Sequence, residues 1–326
     1  MITKITTSLA IAALLAAAPA AAQPLTEIKM ITFGSASNLP IWIAQDKGLF
    51  EKEGLKVERT TTRGSTEQFR DLMAGKYQFA TTAFDNIVAY AEGKGATKFE
   101  NFDVAGIMGV HSGMNTVVSA AALKNWTDIR GKTVSVDAVG SGYATVLYQI
   151  LENKGVKRSE FNIVAVGSSQ ERMKTLRDGR AQMAVISSPE DIYLQRDGFN
   201  ILGDAASEIG DYQGSAYAVR RSYAKENPQI VLAFVRSIQN AHNLLRTNEA
   251  LALEVLRARV KDMPEADAKA LVTRMRGPHG FFPNADLSKK GIENVFKLRS
   301  TYTGEPPLTN FDRYVDFSWA ERAKQK

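Results

Sequence analysis

The chain has 326 residues, of which 44% are hydrophobic, with a formal charge of +6 and no cysteine. The absence of cysteine excludes disulfides, thiol catalysis, cysteine metal sites and a lipid anchor on an N-terminal cysteine. The small basic excess is spread along the chain without interleaved aromatic residues, so it argues against nucleic acid as a partner and favours an anionic small ligand only weakly.

Residues 1–22 have the layout of a cleaved secretory signal. Lys4 precedes an Ala/Leu-rich run from Leu9 to Ala18, and an A-x-A sequence ends at Ala22. The run is shorter than the ~20 apolar residues of a membrane-spanning helix, so an uncleaved anchor is the weaker interpretation. We expect cleavage after Ala22 and a monomeric periplasmic protein of charge +5, whose roughly 300 residues form two domains.

The mature chain begins with a strand, a loop and a helix. Ile28 to Phe33 is a short apolar run typical of a buried strand, and Pro40 stands at the first position of a helix that Gly48 ends. The loop with Asn38 and Leu39 lies at the carboxyl end of that strand and at a helix N-terminus, where unpaired N–H groups are available to a ligand. We therefore predict that Asn38 and Leu39 form one wall of a small-molecule site.

Strands and helices then alternate in two successive blocks. The first block has strands at 57–61, 78–82 and 104–110 and helices at 65–74 and 85–92. The second block has strands at 133–137, 161–166 and 182–186 and helices at 143–153, 170–177 and 190–195. This alternation predicts an α/β fold with mostly parallel sheets covered by helices on both faces.

One short sequence pattern occurs in both blocks, and we call it the internal repeat. Gly64-Ser65, a helix, Gly75-Lys76 and Gln78-Phe79-Ala80 are matched by Gly167-Ser168, a helix, Gly179-Arg180 and Gln182-Met183-Ala184. Either the chain forms two lobes of like construction, or the match is a chance similarity between βα units.

The chain passes between the two blocks near residues 111–115 and 211–217, as hinges or as plain surface loops. After the second passage the pattern becomes helical, with helices expected at 227–246, 248–260, 264–275 and 288–300. We expect these helices to pack outside the first lobe.

The stretch Gly140 to Thr145 follows a strand and opens a helix, as a dinucleotide-binding loop does. Its third glycine position is Thr145, and no acidic residue ends the following strand, so we reject a nucleotide site. A glycine-loosened helix N-terminus still suits a carboxylate, sulfonate or phosphate. Ser141, Gly142 and Tyr143 are therefore candidate ligand contacts, with simple helix capping as the alternative.

Other loops follow the remaining strands. Phe84 and Ser188 end two such loops and are expected to line a cleft with Tyr143, and Tyr212 adds aromatic surface. Arg63 is the best-placed cation for a bidentate contact with an anion, although a solvated arginine is the more common outcome.

His111 closes a strand at the first passage and is a further candidate contact, with a packed hinge residue as the alternative. No H-E-x-x-H, G-x-S-x-G or G-x-x-x-x-G-K-[ST] sequence occurs, so neither catalytic residues nor a metal or cofactor are predicted.

The stretch from residue 39 to 57 carries a resemblance to a known family. The chain resembles the nitrate/sulfonate/taurine and thiamine-precursor group of ABC-transporter substrate-binding proteins, through a Leu-Pro-x-x-x-Ala-x-x-x-Gly-Leu-Phe-x-x-x-Gly-Leu-x-Val pattern. The matching positions are Leu39, Pro40, Ala44, Gly48, Leu49, Phe50, Gly54, Leu55 and Val57. The family commonly has Asp where this chain has Gln78 and Gln182.

The resemblance implies a two-lobed periplasmic-binding-protein fold of type II with two crossover hinges. Lobe I would comprise residues 25–112 and 217–322, and lobe II residues 113–216. The lobes would close over a small organic anion and deliver it to an ABC permease in the inner membrane, with ligand contacts at the loop containing Ser141, Gly142 and Tyr143.

Two alternatives to transport come from the same resemblance. One is a thiamine-pyrimidine synthase of the same fold, which uses iron and a cysteine-rich motif; the absence of cysteine and the signal sequence argue against it. The other is a ligand-sensing protein that docks onto a membrane receptor, and the sequence does not separate sensing from transport.

Overall fold

The computed structural model describes residues 24–325, so the predicted signal sequence lies outside the described residues. Within this range no helix has both the length and the apolar character needed to cross a membrane.

The strands of this range form two five-stranded sheets of the same topology. The strands are β1 (Thr26–Thr32), β2 (Leu55–Thr61), β3 (Phe79–Ala83), β4 (Val104–His111), β5 (Asn115–Ser119), β6 (Thr133–Val136), β7 (Asn162–Ala165), β8 (Met183–Ser187), β9 (Asn200–Asp204) and β10 (Ser215–Arg220). The first sheet has the order β2-β1-β3-β10-β4 and the second β7-β6-β8-β5-β9. In each sheet the fourth strand, β10 or β5, runs antiparallel to its neighbours.

Helices cover both sheets. They are α1 (Leu39–Asp46), α2 (Leu49–Lys52), α3 (Ser65–Met73), α4 (Phe84–Ala91), α5 (Gly142–Asn153), α6 (Ser169–Arg177), α7 (Glu190–Arg196), α8 (Ala205–Ile209), α9 (Arg221–Glu226), α10 (Pro228–Thr247), α11 (Glu249–Arg259), α12 (Glu265–Arg276), α13 (Lys289–Thr303) and α14 (Ser318–Lys324). The predicted α/β architecture is confirmed.

The two antiparallel strands escaped the sequence prediction. β5 and β10 stand where the prediction has only passages between blocks, because each is short, buried on both faces and joined directly to a crossing. The short elements β9, α8, α9 and α14 were missed as well.

The two copies of the internal repeat occupy equivalent positions in the two sheets. Strand β3 lies beside β1 in the first sheet, and β8 lies beside β6 in the second. The side-chain oxygen of Gln78 accepts a hydrogen bond from the Lys29 amide at 2.8 Å, and that of Gln182 accepts one from the Thr133 amide at 3.1 Å. The glutamines at these positions therefore have the same role in both sheets, which is to accept a hydrogen bond from an N–H group of the neighbouring strand.

The C-terminal helices do not all pack outside the first sheet. Helix α10 packs on α1 and α2, and its Phe234 stacks on Phe79 with ring centroids 3.9 Å apart. Helix α13, in contrast, contacts both α4 beside the first sheet and α5 beside the second. The prediction was therefore wrong for α13, which joins the two halves.

A buried histidine in α10 makes the fold sensitive to acid. The His242 ring lies between the Phe282 carbonyl, at 2.9 Å from Nδ1, and the Tyr217 hydroxyl, at 3.2 Å from Nε2. Burial lowers the pKa of His242 to about 4, against an ordinary value of 6.5. The unfolded chain therefore binds a proton that the folded chain excludes between these two pH values.

We expect this histidine to contribute stability that is complete above pH 6.5 and lost as the pH falls towards 4. The shift corresponds to about 3 kcal/mol. In His242→Gln the free energy of unfolding should fall less steeply over this range, as measured by urea unfolding at successive pH values. The exposed His279→Gln is the matched control. Parallel profiles for His242→Gln and the unmodified protein would contradict the assignment.

Candidate functional site

Two chain crossings run side by side between the sheets. Strand β4 ends the first sheet at His111, and β5 begins the second at Asn115; the return crossing spans residues 210–214. The Gly214 amide donates to the His111 carbonyl at 3.0 Å. A Cβ at Gly214 would overlap the backbone of Gly113, so glycine is needed for this close approach.

His111 is built into the first crossing. Its Nδ1 accepts hydrogen bonds from the amides of Gly113, at 3.0 Å, and Met114, at 3.3 Å. Burial lowers the pKa of His111 to about 3, with a smaller contribution from His242, so the ring is neutral at physiological pH. These bonds give His111 a role in shaping the crossing.

The predicted anion-binding loop is in contact with a carboxylate of the protein itself. Ser141 caps α5 by accepting from the Ala144 amide at 3.1 Å, and it donates to Asp137. The Gly142 amide donates at 2.7 Å to Asp85, which lies at the start of α4 beside the other sheet. A Cβ at Gly142 would lie 2.5 Å from that of Asp85. The expectation that the Gly142 amide binds a ligand anion is therefore corrected, since Asp85 occupies it.

Asp85 belongs to a buried ionic network. Arg299 of α13 donates to Asp85 at 2.7 Å and to Glu305 at 2.7 Å from Nε, and all three side chains are almost fully buried. Burial alone would lower the pKa of Arg299, but the two carboxylates raise it above its ordinary value, so the guanidinium stays charged. One cation thus joins the end of α13 to α4 and, through Asp85, to α5.

A second set of bonds joins the sheets on the other side of the crossings. Arg274 of α12 donates to Thr116 at 2.9 Å, to Asp191 at 3.0 Å and to the Ser188 hydroxyl. The Ala36 amide donates to the Ser188 carbonyl at 3.2 Å. The loops that follow β1 and β8, at the carboxyl edges of the two sheets, are therefore in direct contact.

The crossings border a narrow crevice that is lined by residues of both crossings, α5 and α8 and has no room for a water molecule. Tyr143 and Tyr212 line it together with Ser112 and Gly113. Burial raises the pKa of the Tyr143 hydroxyl, while the neighbouring side chains of Ser215 and Asn115 oppose the shift. Of the predicted contacts, Tyr143 and Tyr212 line this crevice, and a Cβ at Gly142 would lie 2.8 Å from the Tyr212 hydroxyl.

Arg172 is a buried cation at the carboxyl edge of the second sheet. It is 4% exposed, and it donates to the carbonyls of Val185, at 2.8 Å, and Gly167, and to the Ser169 hydroxyl at 3.0 Å. These acceptors are all neutral, and no carboxylate in residues 24–325 forms an ion pair with it. Three bonds leave two of the five guanidinium N–H groups without a protein partner.

The first half of the chain has glutamine at the equivalent position. Gln68 of α3 donates to the Thr81 carbonyl of β3 at 3.0 Å, as Arg172 of α6 does to the Val185 carbonyl of β8. A neutral amide therefore suffices for this structural bond. The charge of Arg172 is an addition that the fold does not require.

Two further buried groups near Arg172 have unsatisfied polar atoms. Glu190 accepts from Gln170 at 2.6 Å through Oε1, but its Oε2 has no partner among the described residues. Burial raises the pKa of Glu190. Asn115 accepts from Ser187 at 2.7 Å, and its Nδ2 is likewise without a partner in the described part of the chain. Such atoms are costly to bury unless something else satisfies them.

The other predicted contact residues lie elsewhere. Leu39 and Phe84 are fully buried in the hydrophobic cores. Asn38 orders its own loop by donating to the carbonyls of Phe33 and Ser35. Arg63 has a side chain that is 93% exposed and pairs with Glu67 at 3.4 Å. Among the described residues no three His, Cys, Asp or Glu side chains are grouped so that they could hold a metal ion.

Sequence reasoning missed the buried charged residues of the site. Asp85 and Glu190 directly follow the loops that were predicted to line the cleft, so they were adjacent to a recognised signal. The internal repeat offered a signal for Arg172, because the second copy has arginine at the position where the first copy has Gln68. Asn115 lies at the end of the first predicted passage.

The chain was compared with known proteins. Residues 35–249 match the family model described as NMT1/THI5 like. The chain belongs to this family. Among curated relatives, YtlA of Bacillus subtilis (strain 168), named as a binding protein, is 19% identical over 286 residues, which cover 87% of this chain and 85% of that protein.

Solved structures of other proteins share the fold. The alkanesulfonate-binding protein SsuA of Xanthomonas axonopodis pv. citri, bound to MOPS, has a TM-score of 0.70 and 17% identity over 93% of this chain and 99% of that chain. The periplasmic nitrate-binding protein NrtA of Synechocystis PCC 6803 has a TM-score of 0.77 and 13% identity over 92% of this chain and 89% of that chain. The NMT1/THI5-like chain therefore has the two-lobed fold of periplasmic binding proteins.

Proposed function

We propose that this protein is the periplasmic solute-binding component of an ABC importer, and that it captures a small organic anion between its lobes. In this proposal residues 25–112 and 217–322 form one lobe, residues 113–216 form the other, and the paired crossings are the hinges. The protein would act as a monomer that delivers its ligand to a membrane permease, without an enzymatic reaction.

The observation that carries the proposal is the buried, unpaired charge of Arg172. Tyr143 has a hydroxyl near Arg172, and Asn115, which lies beside Tyr143, has an Nδ2 group without a partner among the described residues, whereas the Asp137 carboxylate also lies near Arg172. Burial raises the pKa of the Glu190 carboxyl. A buried cation with unpartnered N–H groups suits a carboxylate or sulfonate.

Two relatives of the same fold bind anions, an alkanesulfonate in SsuA and nitrate in NrtA. At 17% and 13% identity these likenesses support the class of ligand without identifying it. The aromatic rings of Tyr143 and Tyr212 at the crevice favour an organic anion over an inorganic one, because flat apolar surface accommodates a carbon skeleton.

A thermal-shift screen against carboxylates, sulfonates and pyrimidines tests the proposal. We expect one or more organic anions to raise the melting temperature, because a ligand at 100 times its Kd stabilises the folded state by about 2.7 kcal/mol. Stabilisation by uncharged pyrimidines alone would contradict the anionic ligand. Iron-dependent turnover by the purified protein would support the synthase alternative instead.

A further inference from the structure

A second cavity is remote from the crossings. It has a volume of about 390 Å³, within the range of small-molecule pockets. Its floor is formed by Ala105 and Ile107 near the start of β4 and by Val219 near the end of β10. The crossings join the opposite ends of these strands, so this back pocket lies at the far edge of the first sheet from the cleft.

Helices α9 and α14 form the walls of the back pocket. Ala224 and Pro228 add apolar surface on one side, and Trp319 of α14 adds it on the other. Trp319 is 4% exposed and lies under the Arg322 guanidinium, whose carbon is 4.2 Å from the ring centroid. Stacking on the indole holds the guanidinium flat while its N–H groups remain free to donate.

The rim of the back pocket is basic. Arg221, Lys225 and Arg322 line it, and none of the three forms an ion pair with a carboxylate in residues 24–325. Among the described residues the Arg221 guanidinium donates only to the Asp312 carbonyl, at 2.6 Å. The single acidic lining residue, Asp316, accepts a hydrogen bond from the Ser318 amide at 3.0 Å, where it caps α14. Three cations thus face one carboxylate around an apolar floor.

We propose that the back pocket is a second ligand site, which binds a small aromatic sulfonate or carboxylate. The apolar floor and the Trp319 ring take the carbon skeleton, and Arg322 with Lys225 binds the anionic group. This site shares no residue with the interlobe cleft. It can therefore be occupied whether or not the cleft holds a ligand.

Trp319 supplies a direct readout. The chain has three tryptophans, so the indole region of a ¹⁵N-correlated NMR spectrum is simple, and Trp319→Phe identifies the Trp319 signal. Titration with naphthalene-2-sulfonate should shift this signal with saturation, whereas sulfate at the same ionic strength should not, because it has no apolar part. The double variant Lys225→Gln, Arg322→Gln should weaken binding at least tenfold.

Two controls test whether the Trp319 shift reports binding in the back pocket, rather than attraction to positive charge in general or binding in the cleft. Lys94→Gln with Lys98→Gln removes two exposed positive charges of the same half and should leave the titration unchanged. Arg172→Gln should also leave it unchanged, although it removes the proposed cleft cation. An unmoved Trp319 signal or an equal shift with sulfate would overturn the second site without bearing on the cleft proposal. Loss of the shift in Arg172→Gln would also overturn the second site, because it would place the naphthalene-2-sulfonate in the cleft.

Discussion

Arg172→Gln should remove high-affinity binding of an organic anion and leave the fold intact. The substitution copies what the first half of the chain already has, since Gln68 makes the corresponding bond to β3. The buried charge is lost, while a side-chain donor to the Val185 carbonyl is kept.

The expected loss of affinity is large. A charge-assisted hydrogen bond contributes roughly 1.5–3 kcal/mol, and a buried pair left half-formed costs about 3–5 kcal/mol, so the Kd should rise by two orders of magnitude or more. Isothermal titration with the best anion of the screen measures the change. The melting temperature without ligand should fall by only a few degrees, because the structural bond survives.

Two further variants serve as comparisons for Arg172→Gln. Gln68→Ala removes the equivalent bond in the other half and should lower stability without changing affinity. Arg172→Lys keeps the charge but loses the forked donor geometry, and it should bind with intermediate affinity. If Arg172→Gln bound the anion as tightly as the unmodified protein, the cleft would have to recognise its ligand without this cation.

The fold was largely predictable because its signals are local. Alternating apolar runs, glycine stops and Pro40 at a helix start depend on a few neighbouring residues, and they gave most strands and helices to within two residues. The glutamines at 78 and 182 showed that the halves are related, although only the structure explains them. β5 and β10 failed because their pairing is set by distant strands.

The site was less predictable because its charges act across the molecule. Asp85 is separated from Arg299 by 214 positions, and no local pattern links them. Leu39 and Phe84 were expected at the cleft since they adjoin its loops, but apolar side chains beside a loop turn into the core when the adjoining helix packs. Proximity to the carboxyl edge follows from the sequence for these loops, whereas the directions of the Leu39 and Phe84 side chains depend on how the helices pack.

Asp85→Asn should destabilise the protein and separate the two halves. Both partners of the Asp85 carboxylate, Arg299 and the Gly142 amide, are donors, so an amide placed there must turn its own NH₂ group towards one of them. Breaking one side of a buried ionic network costs about 3–5 kcal/mol. Urea unfolding should show a loss of this size.

Glu305→Gln distinguishes stability from closure. This substitution weakens the binding of the Arg299 guanidinium, because Glu305 is its second carboxylate partner. Unlike Asp85, Glu305 has no contact with the Gly142 amide. We therefore expect Glu305→Gln to lower stability while the radius of gyration in X-ray scattering stays that of the unmodified protein, and Asp85→Asn to increase that radius. The same radius for Asp85→Asn and the unmodified protein would show that Arg274 and its partners suffice to hold the lobes together, and that the bond from Asp85 to the Gly142 amide of α5 serves stability alone.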